Sequence, residues 1–268
     1  MNINAMRARQ SRPSVARVYS YVLGGRDNYG VDKDVGDYFI EDLPGSERLA
    51  ITNRDAVLRA VKAMAAAGIR QIIDMGCGLP ASVNVHQVVR QVCPDARVVY
   101  VDDDPFVASH GRALLAVDDG IVVLEADIRD PDSIQKHADV QRVINFDEPV
   151  GILFGITLSF VNDEEDPAGV VRYWSDRFPS GSQVYISHFR SGATREAVAT
   201  ANKIVEAFGR GRFRTEPEIE FLFGALTLEE DGLRPCAQWR PDPSESDAGN
   251  PELTVWEQLV VGGMARKL

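Results

Sequence analysis

Five short runs of unbroken apolar residues, separated by stretches that start and stop like helices, constrain this chain more than any other feature. "IRQIID" (69–74), "RVVYVD" (97–102) and "IVVLEAD" (121–127) each end in a carboxylate, and "VGILFGI" (150–156) and "SQVYISHF" (182–189) follow. A strand that is apolar throughout is buried on both faces, as in a parallel sheet covered by helices on each side. The intervening segments carry helix signals. Thr52 with Asp55 reads as a capping box before "AVLRAVKAMAAAG", and Gly68 as its stop. Asp104-Pro105 and Asp130-Pro131 each place an N-cap acid before a proline suited to a first helical turn. The order βαβαβ predicts a doubly wound α/β sheet.

The C-terminal part has a different pattern. "GLRPCAQWRP" and "WEQLVVGGMARKL" are separated by the polar segment 242–252 with no helix between them, which predicts an antiparallel hairpin and a mobile surface loop. Five parallel strands with this hairpin make a mainly parallel, seven-stranded, Rossmann-like sheet. Residues 1–68 precede the first strand and read as an N-terminal helical extension, with 69–268 as one structural unit.

A net charge of −11 argues against a nucleic-acid partner, and no apolar run approaches the length of a membrane span. The basic start "MNINAMRARQSRP" lacks the apolar core of a secretory signal and reads as a disordered arm. Cys77, Cys93 and Cys236 stand outside CxxC spacing, so the expectations are a reducing cytoplasmic setting and no metal site.

"IIDMGCGLPAS" (72–82) joins a strand to a glycine turn and a helix start at Pro80, and formally satisfies GxGxxG/A. Asp74, two residues before Gly76, argues against a dinucleotide, because its charge would oppose a pyrophosphate at that turn. A ligand bearing an ammonium or sulfonium would be attracted instead, and S-adenosylmethionine carries both. Asp102 lies 26 residues past Gly76, near the ~20-residue offset of an acid that grips ribose hydroxyls. Asp103 can face the same pocket, and Asp127, at the third strand end, can accept from an adenine amine.

On these residues the chain resembles the class I S-adenosylmethionine-dependent methyltransferases. It is most similar to a bacterial S-adenosyl methyltransferase family long catalogued as a domain of unknown function. The resemblance runs over nearly the whole chain, through "ARVYSYVLGGRDNYGVD" (16–32), Asn53-Arg54, the glycine loop with its "GLP…NVH" wording, "PDARVVYVDDDP" (94–105), "EADIRDP" (125–131), "PSGSQVYISHF" (179–189) and "QWRP" (238–241). It departs at Ser20 and Arg26, and at Ser159, where similar proteins often place a histidine.

The resemblance implies that Asp74, Gly76, Cys77, Gly78 and Leu79 surround the methionine part of the cofactor. Asp102 and Asp103 would lie at the ribose and adenine, Asp127 and Ile128 at the base, and Phe154, Gly155 and Ile156 along the adenosine wall. It further implies a lid over the cofactor, built from Tyr19, Tyr21, Gly24, Gly25, Arg26, Asp27, Asn28 and Tyr29. Candidate general bases are His188, Tyr29, Asp27 and Ser159. The expected activity is methyl transfer to a small molecule. A non-catalytic S-adenosylmethionine-binding protein and a nicotinamide-dependent oxidoreductase are the alternatives.

Overall fold

The computed structural model describes residues 11–241 and 252–268. The N-terminal arm up to residue 10 and residues 242–251 of the polar segment 242–252 lie outside those residues. Strands β1 (Gln71–Met75), β2 (Arg97–Asp102), β3 (Ile121–Glu125), β4 (Gly151–Gly155) and β5 (Gln183–Phe189) run parallel in the order β3-β2-β1-β4-β5. Strand β8 (Val260–Arg266) lies antiparallel beside β5. Two two-residue pieces, β6 (Thr227–Leu228) and β7 (Arg234–Pro235), share the outer edge of β8. The sheet is therefore seven positions wide, with eight strands. The hairpin expected from "GLRPCAQWRP" is β7 with β8, while β6 is too short to show a period in the sequence.

The unbroken apolar strands divide their side chains between two cores. Ile72, Val98, Tyr100, Leu153 and Tyr185 join one cluster, and their neighbours Ile73, Val99, Val101, Ile152 and Ile186 join the other. That is the pleat of a strand buried on both sides. Helix α1 (Val15–Val22) and α2 (Gly30–Asp37) precede a π-helical turn (Tyr38–Asp42) and the long α3 (Glu47–Ala66). Ala56, Ala60, Val61 and Met64 of α3 are fully buried in the first cluster, so α3 forms a layer of the sheet. Arg59 of α3 donates to the Cys236 and Trp239 carbonyls at 2.6 and 2.9 Å, tying it to the "QWRP" segment.

Helix α3 starts at Glu47, which corrects the capping box expected at Thr52. Thr52 lies inside the helix and donates to the Arg48 carbonyl. The stop at Gly68 is where the spacing put it, with φ of +89°. The remaining helices are α4 (Val85–Val89), α5 (Pro105–Leu114), α6 (Pro131–Lys136), α7 (Ala138–Val143), α8 (Pro167–Arg177), α9 (Arg195–Phe208) and α10 (Glu216–Phe221). Asp104 and Asp130 cap α5 and α6 through the Phe106 and Ser133 amides. Among the described residues, no helix is long and apolar enough to cross a membrane.

Candidate active site at the carboxyl edge of the sheet

Strand β1 is flanked by β2 on one side and β4 on the other, so the chain reverses its winding there and leaves a crevice beyond the strand ends. A cavity of about 500 Å³ occupies that position, within the range of small-molecule sites. Asp74 and Gly76–Gly78 line it from β1, Asp102–Asp104 from β2, Ala126–Arg129 from β3, and Gly155–Thr157 from β4. Ser14, Val15, Ala16 and Tyr19 cover it from α1, and Asn53, Arg54 and Val57 line it from α3.

The glycine turn is held rigidly on β2. The Gly76 and Cys77 amides both donate to the Val101 carbonyl, at 2.8 and 3.0 Å, and Gly78 N–H donates to Asp102 Oδ2 at 2.9 Å. Gly76 has a φ of +75°, and a Cβ there would sit 2.4 Å from Thr157 Cγ2. Thr157 is itself fixed by donating to the Met75 carbonyl at 2.7 Å. Gly78, with φ of +66°, has open space where a Cβ would be. The helix expected from Pro80 begins only at Val85, because Asn84 and Gln87 form the capping box that starts it. The glycine turn thus faces the cavity without a helix end directly behind it.

Burial makes the acids of this edge reluctant to ionise. Asp74 is 5% exposed, and desolvation pushes its carboxyl up to about 6, opposed by the Arg54 charge. Asp102 is pushed up to about 7, again by desolvation, although the Asp104 and Gly78 amides favour its charged form. Asp103 is raised by desolvation and then by Asp127. Asp127 is held low by Arg129, which grips both carboxylate oxygens. The Cys77 thiol is raised well above its ordinary value by burial and by Asp102 and Asp74, so it supplies no thiolate.

The structure brings together Tyr19, Asp74, Gly76, Cys77, Gly78, Asp102, Asp103, Asp127, Ile128, Gly155 and Ile156 around the cavity. Leu79 and Phe154 turn into the protein, and Phe154 is fully buried in the core on the far side of the sheet. Of the stretch 19–32, the cavity touches Tyr19 alone. Tyr21 donates to Asp37 Oδ1 at 2.6 Å, and Arg26 and Asp27 are exposed. Asn28 donates to the Gly25 carbonyl. Gly25 lies so close to α1 that a Cβ would meet Ser20 Oγ at 2.1 Å. The glycine pair therefore builds the corner after α1, and the cover over the cavity comes from the first turns of that helix. Tyr29 packs edge-on against Phe106, 5.5 Å between ring centres, outside the cavity.

The base role expected of His188 is corrected by its surroundings. His188 is fully buried, its Nδ1 faces the Phe189 carbonyl at 2.9 Å, and Arg214 donates to its Nε2 at 2.8 Å. A guanidinium can only donate, so Nε2 carries no proton and the ring is neutral. Desolvation lowers its pKa to about 3, with the Arg214 charge acting the same way. Ser159 is likewise buried, accepting from the Phe189 amide at 3.1 Å.

Several contacts that hold the site together were invisible in the sequence pattern. Arg17 pairs with Asp32 at 2.7 Å and with Asp104 at 3.1 Å, and Ser14 donates to the same Asp104 oxygen at 2.8 Å, which fastens α1 across the cavity. Asn53 donates to Tyr19 and accepts from Ser187 Oγ, joining cover, α3 and β5. Ile156 stands at φ of +64°, a strained conformation for a β-branched residue and one that clusters at functional sites. The family resemblance had named Tyr19, Asn53 and Ile156, but no spacing signalled these contacts or the strained backbone.

A family model described as S-adenosyl methyltransferase matches residues 2–268. Among solved structures, a "putative methyltransferase" from Thermobifida fusca is 40% identical, with a TM-score of 0.89 over 96% of each chain. A DUF574 family protein from Streptomyces avermitilis is 34% identical, with a TM-score of 0.90 over 97% of this chain and 99% of its own. The plantazolicin methyltransferase BpumL, solved with a desmethylPZN analog and SAH, is 12% identical with a TM-score of 0.52 over 94% of this chain and 95% of its own, and shares the fold alone. No curated protein matches the chain. By its full-length family match and these two relatives, the chain belongs to the S-adenosyl methyltransferase family.

Proposed function

We propose that the protein is a cytoplasmic S-adenosylmethionine-dependent methyltransferase acting on a small-molecule acceptor. The observation that carries this reading is the pair of buried carboxylates, Asp74 and Asp102, gathered around an open glycine turn at the sheet's switch point. Among the described residues, Asp74 accepts no hydrogen bond from the protein, and its only opposing charge is the through-space influence of Arg54. Such a group favours a ligand that brings an ammonium or another strong donor. S-adenosylmethionine, when bound, supplies a methyl group on a positively charged sulfur.

In this reading Asp74 and the Gly76–Gly78 turn hold the amino-acid end, Asp102 and Asp103 hold the ribose hydroxyls, and Ile128 covers the base. The Asp127 carboxylate is already engaged by Arg129, so its part is to fix the loop after β3. Val15, Tyr19, Ile156 and Phe160 exclude water from the reacting centre, which suits a displacement whose main demand is alignment.

Calorimetric titration with S-adenosylmethionine, S-adenosylhomocysteine and NAD tests the reading. Binding of the first two, lost in Asp102→Ala, is expected; binding of NAD alone would overturn it. The burial of His188 and Ser159 favours one second reading, a non-catalytic binder of the same ligand. Methyl label passing from S-adenosylmethionine into the small-molecule fraction of a cell extract excludes it, and tight binding without any transfer would establish it.

A further inference from the structure

A second, smaller chamber of about 70 Å³ adjoins the main cavity and shares Val15, Tyr19, Ile156, Phe160 and Phe189 with it. Its inner walls come from α1, α3, the π-helical turn and α9, and are almost wholly apolar. Phe39, Phe208 and Ile204 line it and not the main cavity. Three polar side chains reach it. Ser46 Oγ is spent on the Phe39 carbonyl at 2.6 Å, and the Tyr19 hydroxyl on Ala50 and Asn53. The third is Thr200, which is fully buried, and its Oγ1 has no hydrogen-bond partner among the described residues.

An orphaned buried hydroxyl costs on the order of 1–3 kcal/mol, and a helical threonine ordinarily avoids this by bonding the carbonyl one turn back. Water does not resolve it, because a buried water needs two to four polar partners and this chamber offers one unspent hydroxyl. The volume is about twice one water's share of the liquid, ~30 Å³, enough for one end of a molecule whose remainder lies at the shared rim. Phe160 stands edge-on to both Phe189 and Phe208, with ring centres 6.2 and 6.0 Å apart. The walls therefore offer the ring faces and edges that aromatic ligands favour.

Resting on the methyltransferase reading, we propose that this chamber seats the methyl acceptor, and that the acceptor is an uncharged, ring-bearing small molecule whose single buried polar group, a hydroxyl or carbonyl, bonds to Thr200. A charged acceptor is excluded by the same walls, since among the described residues no ionisable group other than Tyr19 lines the chamber.

The test uses phenol, toluene and benzoate as probes, titrated by calorimetry into the full chain with and without saturating S-adenosylhomocysteine, whose own binding is measured first. Phenol binds, toluene binds more weakly, and benzoate does not bind. Thr200→Val weakens phenol about threefold to tenfold, the loss of one hydrogen bond, and leaves toluene unchanged. Ile204→Trp, which fills the chamber, removes both while S-adenosylhomocysteine binding persists. Phenol binding indifferent to both substitutions, or benzoate binding that Ile204→Trp removes, would overturn the proposal. Should Ile204→Trp fail to fold, the isosteric Thr200→Val still decides, because only a ligand contact separates phenol from toluene. Absent S-adenosylhomocysteine binding to the wild type defeats the methyltransferase reading alone, and the probe titrations without it still test the chamber.

Discussion

Replacing Asp102 by Asn should stabilise the ligand-free protein in a manner that depends on pH. Burial raises the Asp102 carboxyl from its ordinary 3.8 to about 7 in the folded chain. A group whose folded value is raised contributes its full share of stability below the unfolded value and loses it as pH rises through the folded one. At ~1.36 kcal/mol per unit, the cost of keeping Asp102 ionised is about 4 kcal/mol at pH 8 and under about 1 kcal/mol at pH 4. Asn carries no charge, but its amide turns one N–H pair toward Gly78 or Asp104, at a cost of about 1–2 kcal/mol. The net expectation is a gain of about 2–3 kcal/mol at pH 8, changing to a loss of about 1 kcal/mol near pH 4. Thermal unfolding followed across that range should show a Tm about 5 °C or more above wild type at pH 8. A Tm difference that stays flat from pH 4 to 8 would refute the desolvated carboxylate, and with it the reason given for a site that awaits a donor.

Four further outcomes follow from the same geometry. S-adenosylhomocysteine should bind more tightly as pH rises from 5 to 8 and release protons near pH 6, because a bound donor favours ionised Asp74; Asp74→Asn should abolish that proton release in calorimetry run in buffers of differing ionisation heat. Arg17→Met should cost about 3–5 kcal/mol in urea unfolding, since it strands Asp32, a fully buried carboxylate. His188→Gln should cost about 1–3 kcal/mol of stability through lost bonds to Arg214 and Phe189, while the pH profile of methyl transfer keeps its shape. Gly76→Ala should weaken S-adenosylhomocysteine binding more than tenfold in the same titration, because its Cβ would sit 2.4 Å from Thr157 Cγ2 at a backbone angle that only glycine adopts freely.

The parallel sheet and its acidic edge were legible in the chain because both depend on local order. An apolar run of five or six residues has few ways to be buried other than as a central strand, and a carboxylate closing such a run falls at the strand's carboxyl end. Asp74, Asp102 and Asp127 could therefore be placed without knowing any partner. The caps at Asp104 and Asp130 were equally local, each needing a proline and an amide within three residues. The false capping box at Thr52 shows the limit of such signals: α3 begins five residues earlier, where Leu49 and Ala50 are buried and the Ala50 carbonyl accepts from Tyr19 of α1.

What the tertiary structure decided was which side chains meet across long separations. Asp104 was read as a helix cap, and it is one, yet its second oxygen also anchors Ser14 and Arg17 some 90 residues earlier, a contact no spacing rule contains. His188 had the chemistry of a base, and Arg214 and burial removed it from that role. Ile156 gained its strained backbone and Thr200 its missing partner only through packing between distant elements. Local chemistry sets the types of group at the sheet's edge; long-range burial sets their charge, and that charge governs what the site can bind.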